Sequence, residues 1–314
     1  MRFTISISSL DNDAIINLND SQNEVSAEIL SYGALLNKFT ITNANKEPFN
    51  IKETFIDVAD ARNRLATWFN GARLSPFVCR LNLGEYKIDN KEYKIEKFYM
   101  GRHAIHGLLF DADYKVVHTN ADEEAASVTL LYSYQATDKG YPFAFDSYIT
   151  YTLTENNHLR ISSDIINKSD IAIPFNEGWH PYFNLPGNSN DWDLQINSTI
   201  SYEFNEEMIP TGNTIEDKRF LQHQQIGDTH LDNCYQITDY SNPSCILGNS
   251  EYSLSIYLQP SMPFLQVFTP DHRNSIAIES LSSIPNSFNN GIGLVWIKPE
   301  ETKTFETVYV LERK

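Results

Sequence analysis

Val128-Thr129-Leu130-Leu131-Tyr132-Ser133-Tyr134, followed by Ile149-Thr150-Tyr151-Thr152-Leu153, decides the reading of the fold. Val128, Leu130, Tyr132 and Tyr134 occupy every second position, as do Ile149, Tyr151 and Leu153. Residues two apart share one face of a strand, so this period predicts extended segments with one face buried. The pattern recurs outward, in Phe3, Ile5 and Ile7 near the start and in Leu254, Ile256 and Leu258 toward the end. Turn residues punctuate it. Asp89-Asn90-Lys91 lies between Tyr86/Ile88 and Tyr93/Ile95, and Asn156-Asn157 between Leu153 and Leu159, each predicting a hairpin. Helical periodicity is scarce, and a short helix within 56–68 is the one exception the pattern admits. Strands without intervening helices predict antiparallel pairing, and their number predicts an all-β fold, a large antiparallel β-sandwich rather than a small closed barrel. No internal repeat is evident. The polar run Pro186-Gly187-Asn188-Ser189-Asn190-Asp191 is the best candidate boundary, but strand patterning continues on both sides, so residues 1–314 are expected to form one domain.

Composition narrows the partners. With 24 Lys and Arg against 41 Asp and Glu, the net charge of -17 repels polyphosphate backbones and anionic membranes, so nucleic acid is not an expected partner. The same charge disfavours a phosphorylated substrate. Cys79, Cys234 and Cys245 show no C-x-x-C spacing, and an odd number does not read as a disulfide framework. The N-terminus alternates polar and apolar residues and lacks a signal-peptide core. No stretch approaches membrane-spanning length. A cytoplasmic protein with no membrane partner is the expectation.

Several segments embed an ionisable or amide group in apolar surroundings. In Asn176-Glu177-Gly178-Trp179-His180-Pro181-Tyr182-Phe183-Asn184-Leu185, His180 sits among aromatics, with few rotamers and a tunable pKa. If that run is extended, Gly178, His180 and Tyr182 share a face, and Trp179 on the other face is core rather than a platform for a ligand. Arg80 lies in the strand-like run from Ser75 to Tyr86, and a buried guanidinium demands a carboxylate or ligand oxygens. His103 and His106, at an odd offset, would face opposite ways in a strand, and His106, followed by Gly107, is the more site-like. Asp232 reads equally well as a turn residue or a ligand. Gln266, in Phe264-Leu265-Gln266-Val267-Phe268, needs a hydrogen-bond partner if buried. Glu279, in Ser275-Ile276-Ala277-Ile278-Glu279-Ser280-Leu281, is the most conspicuous acid, because Glu is almost never buried unpaired.

The order of these segments resembles the aldose 1-epimerase (galactose mutarotase) family over most of the chain, from about residue 30 to the end. It runs from Gly71-Ala72 to Arg80 with Tyr86, then His106-Gly107, the long His180 signature, Leu231-Asp232, Gln266, and Glu279 with Pro285-Asn286-Ser287-Phe288-Asn289. The resemblance implies a large antiparallel β-sandwich with its site on a concave sheet face. It matches Glu279 to the family's general base and His180 to its general acid, and His106, Arg80, Asp232 and Gln266 to positions that bind the sugar's ring oxygen and hydroxyls. Three departures stand out. Many relatives have Asn-Arg where this chain has Cys79-Arg80, Gly-Gly where it has Gly107-Leu108, and Pro-Asp-Ala where it has Pro285-Asn286-Ser287. The first two alter pocket lining, and the third removes an acid expected near Glu279.

The implied reaction interconverts the α and β anomers of a monosaccharide. A base takes the proton of the C1 hydroxyl, an acid protonates the ring oxygen, the ring opens, and reclosure after rotation about C1–C2 gives the other anomer. No cofactor, metal or nucleotide is required, and each of the two groups contributes on the order of 10²–10⁴ in rate. Other readings remain at this stage. A metal site would use the histidines with Asp or Glu, but no His-x-His or His-x-x-x-His spacing occurs. A hexose-6-phosphate epimerase would need a phosphate clamp, for which Arg80, Arg102 and Arg73 are the candidates. A sugar sensor of the same architecture would lack the acid or the base. An accessory carbohydrate-binding domain fits least well.

Overall fold

A computed structural model describes residues 1–10 and 13–314. Its largest sheet has nine strands in the order Lys115–Ala121, Ala125–Tyr134, Phe145–Thr154, His158–Asn167, Thr302–Arg313, Tyr252–Leu258, Cys245–Gly248, Asp193–Ile196 and Gln224–Gln225. Every strand pairing in it is antiparallel, and both predicted hairpins form. Asp89 and Asn90 turn one, Asn156 and Asn157 the other, all four with positive φ. Such paired left-handed residues match the right-handed twist of the flanking strands. Strands from both sides of the 186–191 run join this one sheet.

A second sheet of six strands runs Tyr182–Phe183, Ile276–Leu281, Phe264–Phe268, Asp232–Gln236, Ile200–Phe204 and Pro210–Glu216. Its alternation sets up the site. Leu265, Val267, Ile276 and Ile278 point one way, into the core shared with Ile161, Ile256 and Tyr309 of the nine-stranded sheet. Ser280 bonds Thr307 at 3.2 Å and Phe183 packs edge-on to Tyr309 on that same side. The opposite face carries Cys234, Phe264 and Leu281, which pack with the helix Val58–Trp68 and with Ile105 in a second core. Gln266 and Glu279 are on this face by parity. Both faces of the sheet are thus covered, and the polar pair sits in the second layer.

The helix fills most of 56–68. Asp57 caps it by accepting from the Asp60 N–H at 2.8 Å, and Phe69 ends it in a left-handed conformation (φ 55) with its N–H donating to the Leu65 carbonyl. A third sheet, of five strands from Phe3–Leu10 to Pro48–Asn50, completes the main architecture. No helix among the described residues is long and apolar enough to cross a membrane.

Two local expectations need correction. Only Arg80–Leu81 of the run from Ser75 to Tyr86 is extended before the hairpin, because positive φ at Cys79 and Leu83 breaks the strand. His103–Ile105 is a strand but His106 lies beyond it with φ 60, so strand parity does not govern the two histidines. Gly107 follows at φ 71 and passes so close to Ser75 that a Cβ would lie 2.2 Å from its carbonyl oxygen. That close approach turns His106 back toward the site.

Candidate active site

His180 is placed by three short connections. Trp179–His180 pairs with Ala72–Arg73, the Gly71 N–H donates to the His180 carbonyl at 2.7 Å, and Pro181 then breaks the strand before Tyr182–Phe183. Trp179 faces the core, edge-on to Tyr151, while Tyr182 stacks on the His180 ring at 5.1 Å and 16°. The His106 ring meets His180 edge to face at 5.0 Å and lies 4.5 Å from Phe69. An apolar clamp therefore fixes both imidazoles.

Glu279 comes from the adjacent sheet. Its Oε1 is 3.4 Å from His180 Nε2, and the Cys79 thiol donates to Oε2 across 3.8 Å. Gln266, its direct partner across the strands, turns instead to Asp232, donating to its carboxylate at 2.6 Å. Arg80, half-buried, reaches Met100 Sδ at 3.9 Å and forms no ion pair among the described residues, so of its two expected partners, a carboxylate or ligand oxygens, no carboxylate is engaged. Its loop is held from behind: the Asn286 N–H donates to the Arg80 carbonyl at 2.7 Å, and the Asn82 N–H donates to the Asn286 side chain at 3.0 Å. The departure at Pro285-Asn286-Ser287 thus bears on the arginine's loop.

These six side chains, with Cys79 and Tyr182, line one cavity of about 230 Å³. Glu279, His180 and His106 form its buried floor, at 3, 6 and 7 % exposure, and Asp232 stands at the open mouth. His106 Nδ1, His180 Nδ1 and Gln266 Oε1 have no hydrogen-bond partner among the described residues. Buried polar atoms are costly to leave unpaired, so these are groups that a polar ligand would satisfy. A larger groove of about 500 Å³ beside the hairpin Glu85–Lys94 is lined by surface charges that pair with one another.

Desolvation dominates the electrostatics. Burial, reinforced by Asp232 and opposed by the Cys79 thiol, pushes the Glu279 carboxyl well above the usual range. Burial pushes His180 down to about 4, with the Lys52 charge adding to the effect and the residue's own backbone opposing it. Burial, then His180 and Arg80, holds His106 well below an ordinary imidazole. Asp232 is exposed by area yet crowded by the pocket wall, and that crowding raises its carboxyl against the pull of Arg80 and the Gln266 bond. A carboxylate with raised proton affinity beside a neutral imidazole is a pair able to exchange protons with a ligand lodged between them.

Sequence reasoning missed two features behind the site. Lys52, 1 % exposed, donates to the Glu53 carbonyl and to Asn70 Oδ1, each at 2.9 Å, and Asn70 Oδ1 also accepts from the Tyr182 N–H at 3.4 Å. Nothing in Asn50-Ile51-Lys52-Glu53 signals a buried lysine. Arg73, fully buried, pairs with Glu177, stacks 3.9 Å over Trp179, and is unavailable to any ligand. Ser75 completes the Glu177 shell at 2.8 Å.

The fold is shared with a solved sugar epimerase. Galactose 1-epimerase from Lactobacillus acidophilus superposes with a TM-score of 0.84 at 20% identity, covering 99% of each chain, a likeness of fold. The uncharacterized protein YihR of Escherichia coli (strain K12) is 28% identical over 73% of this chain and 74% of its own. Maltose epimerase from Levilactobacillus brevis is 36% identical over 31% of this chain and 29% of its own. The aldose 1-epimerase family profile matches residues 15–310, and the chain belongs to that family. It is therefore an isomerase, an epimerase acting on sugars.

Proposed function

We propose that the chain interconverts the α and β anomers of an unphosphorylated aldopyranose, with Glu279 as general base and His180 as general acid. The observation that carries this reading is the 3.4 Å approach of His180 Nε2 to Glu279 Oε1 on a buried floor. A sugar edge entering there presents its C1 hydroxyl to the carboxylate and its ring oxygen to the imidazole. Proton removal at the first and delivery at the second break the C1–ring-oxygen bond, and the same groups run in reverse on reclosure. The pair needs one proton between them; burial leaves it on Glu279 in the empty site, so the cycle begins once that proton has passed to His180 across the 3.4 Å contact, and ring opening returns it to Glu279. Arg80 and His106 face the charge that develops at the ring oxygen, while Gln266 takes a hydroxyl deep in the cavity and Asp232 one at the mouth.

The arginine geometry favours a free sugar over a hexose 6-phosphate. Of the three candidate clamps, Arg73 is buried against Glu177 and Arg102 pairs with Glu207 at 2.9 Å, leaving Arg80 alone in the cavity. One guanidinium beside Asp232 is a poor seat for a dianion. The presence of both acid and base argues against a sensor.

Polarimetry on freshly dissolved α-glucose and α-galactose at low buffer concentration tests the assignment, with hexose 6-phosphates run in parallel. Wild type is expected to accelerate equilibration of a free sugar, and Glu279→Gln and His180→Asn to lose that acceleration. Acceleration confined to the phosphates overturns the substrate assignment.

A further inference from the structure

His180 is held from behind by a knot of three chain segments. The backbone from His180 to Asn184 is bound group by group. The Gly71 N–H donates to the His180 carbonyl at 2.7 Å, and the Tyr182 N–H donates to Asn70 Oδ1 at 3.4 Å. The Glu53 N–H donates to the Tyr182 carbonyl at 3.0 Å, and the Asn184 N–H to the Ile51 carbonyl at 2.7 Å. Lys52 sits where the three segments meet. Its Nζ donates to Asn70 Oδ1 and to the Glu53 carbonyl, each at 2.9 Å, and Asn70 Nδ2 donates to that same carbonyl at 3.0 Å. Gly71 leaves the space that Lys52 fills, because a Cβ there would lie 3.0 Å from Nζ. A lysine this deeply buried forms no ion pair among the described residues, so no carboxylate offsets its desolvation, and a methionine would fill the volume without that cost. Such costs, unexplained by packing, concentrate at functional sites.

We propose that Lys52 is a positioning residue of the epimerisation, fixing the His180 imidazole through Asn70 and through the Tyr182 ring stacked on it. This rests on the anomer-interconverting reading above. The charge of Lys52 gives the role a signature that packing alone lacks. The titratable groups facing His180 are Glu279, His106 and Tyr182 from the cavity and Lys52 from behind, and Lys52 is itself faced by Glu53. A cation behind the imidazole opposes its protonation, so Lys52 holds off the second proton that stops the Glu279–His180 pair at acid pH. Asn70 carries the geometry without the charge, which lets the two contributions be separated.

The test is polarimetry with α-glucose and α-galactose across pH on wild type, Lys52→Met, Lys52→Gln and Asn70→Ala. An NMR titration of the histidines in the sugar-free proteins accompanies it, with His180→Asn assigning the signal and urea midpoints confirming the fold. Lys52→Met and Asn70→Ala are each expected to lower kcat by roughly tenfold and to leave KM within about twofold, the pattern of a displaced acid rather than of lost binding. The double variant should be no worse than the more damaging single one, because one chain of contacts is broken once. Lys52→Met should also move the acid limb of kcat and the His180 titration to higher pH, whereas Asn70→Ala keeps the charge and should leave both in place. Lys52→Gln, which retains a donor for Asn70, should recover part of kcat and show the same shift. Folded variants with wild-type kcat, or an acid limb and His180 titration that Lys52→Met and Lys52→Gln leave unmoved, overturn the role. If wild type accelerates neither sugar the epimerase reading falls, and the His180 titration still decides whether Lys52 acts on the imidazole.

Discussion

The His180 imidazole meets the Glu279 carboxylate at 3.4 Å although the two residues come from segments that share no strand. His180 is delivered by a two-residue strand paired to Ala72–Arg73, Glu279 by the second strand of the six-stranded sheet. The two segments nevertheless run side by side, Gly178 bridging Leu281 and the Ile278 N–H donating to the Pro181 carbonyl at 3.3 Å, so backbone pairing on either side of His180 holds the contact.

Removing either group should cost activity without costing fold. Glu279→Gln and His180→Asn keep volume and lose proton transfer, and each is expected to lower kcat by roughly 10²–10⁴. The double variant should be little worse than the more damaging single one, because the two act as a unit. Initial rates by polarimetry, with circular dichroism as the control, check this.

The pH profile follows from the two shifts. The working pair holds one proton. As pH falls toward about 4, His180 and Glu279 come to hold two and the base is lost. As pH rises through the raised value of Glu279, the pair loses its only proton and the acid is lost. Activity should therefore hold across a window bounded below near 4 and above by Glu279. Cys79→Ala removes the donor that opposes the Glu279 shift, so its alkaline limb should move to higher pH. Rate profiles of wild type and variant decide it.

Lys52 should make stability depend on pH. Burial pushes its ammonium from 10.5 down to about 7, with Glu53 opposing. Between those values the unfolded chain binds a proton that the folded chain does not, so stability rises as pH rises from about 7 to 10.5 and the penalty is constant below that window. Lys52→Met should flatten this slope. Urea midpoints taken across the window measure it.

The Arg73–Glu177 pair should behave as a buried charge pair. Arg73→Met strands a carboxylate that Arg73 and Ser75 now hold, at a cost of about 3–5 kcal/mol, and the combined Arg73→Met, Glu177→Met variant should recover much of it. Equal loss in the single and double variants would show that packing, not charge, holds this layer. Urea denaturation resolves the two.

Much of the architecture was legible because strand parity is local. Alternation in Val128–Tyr134 and Ile149–Leu153, and the asparagine turns, follow from backbone sterics over a few residues, and the structure places them as read. Parity likewise put His180 and Tyr182 on one face with Trp179 on the other. It failed at His106 and around Cys79, where positive φ and a tight passage against Ser75 replace the strand.

The sequence by itself determined an all-β chain and an inventory of isolated polar groups in apolar runs, both consequences of short-range pattern. Only the tertiary structure decided which of those groups meet. Arg73 is spent on Glu177 and Arg80 is left open, Gln266 serves Asp232 rather than Glu279, and Lys52 lies buried behind the histidines. Pairing and desolvation depend on segments distant in the chain, and no local pattern records which charge will find a partner once water is excluded.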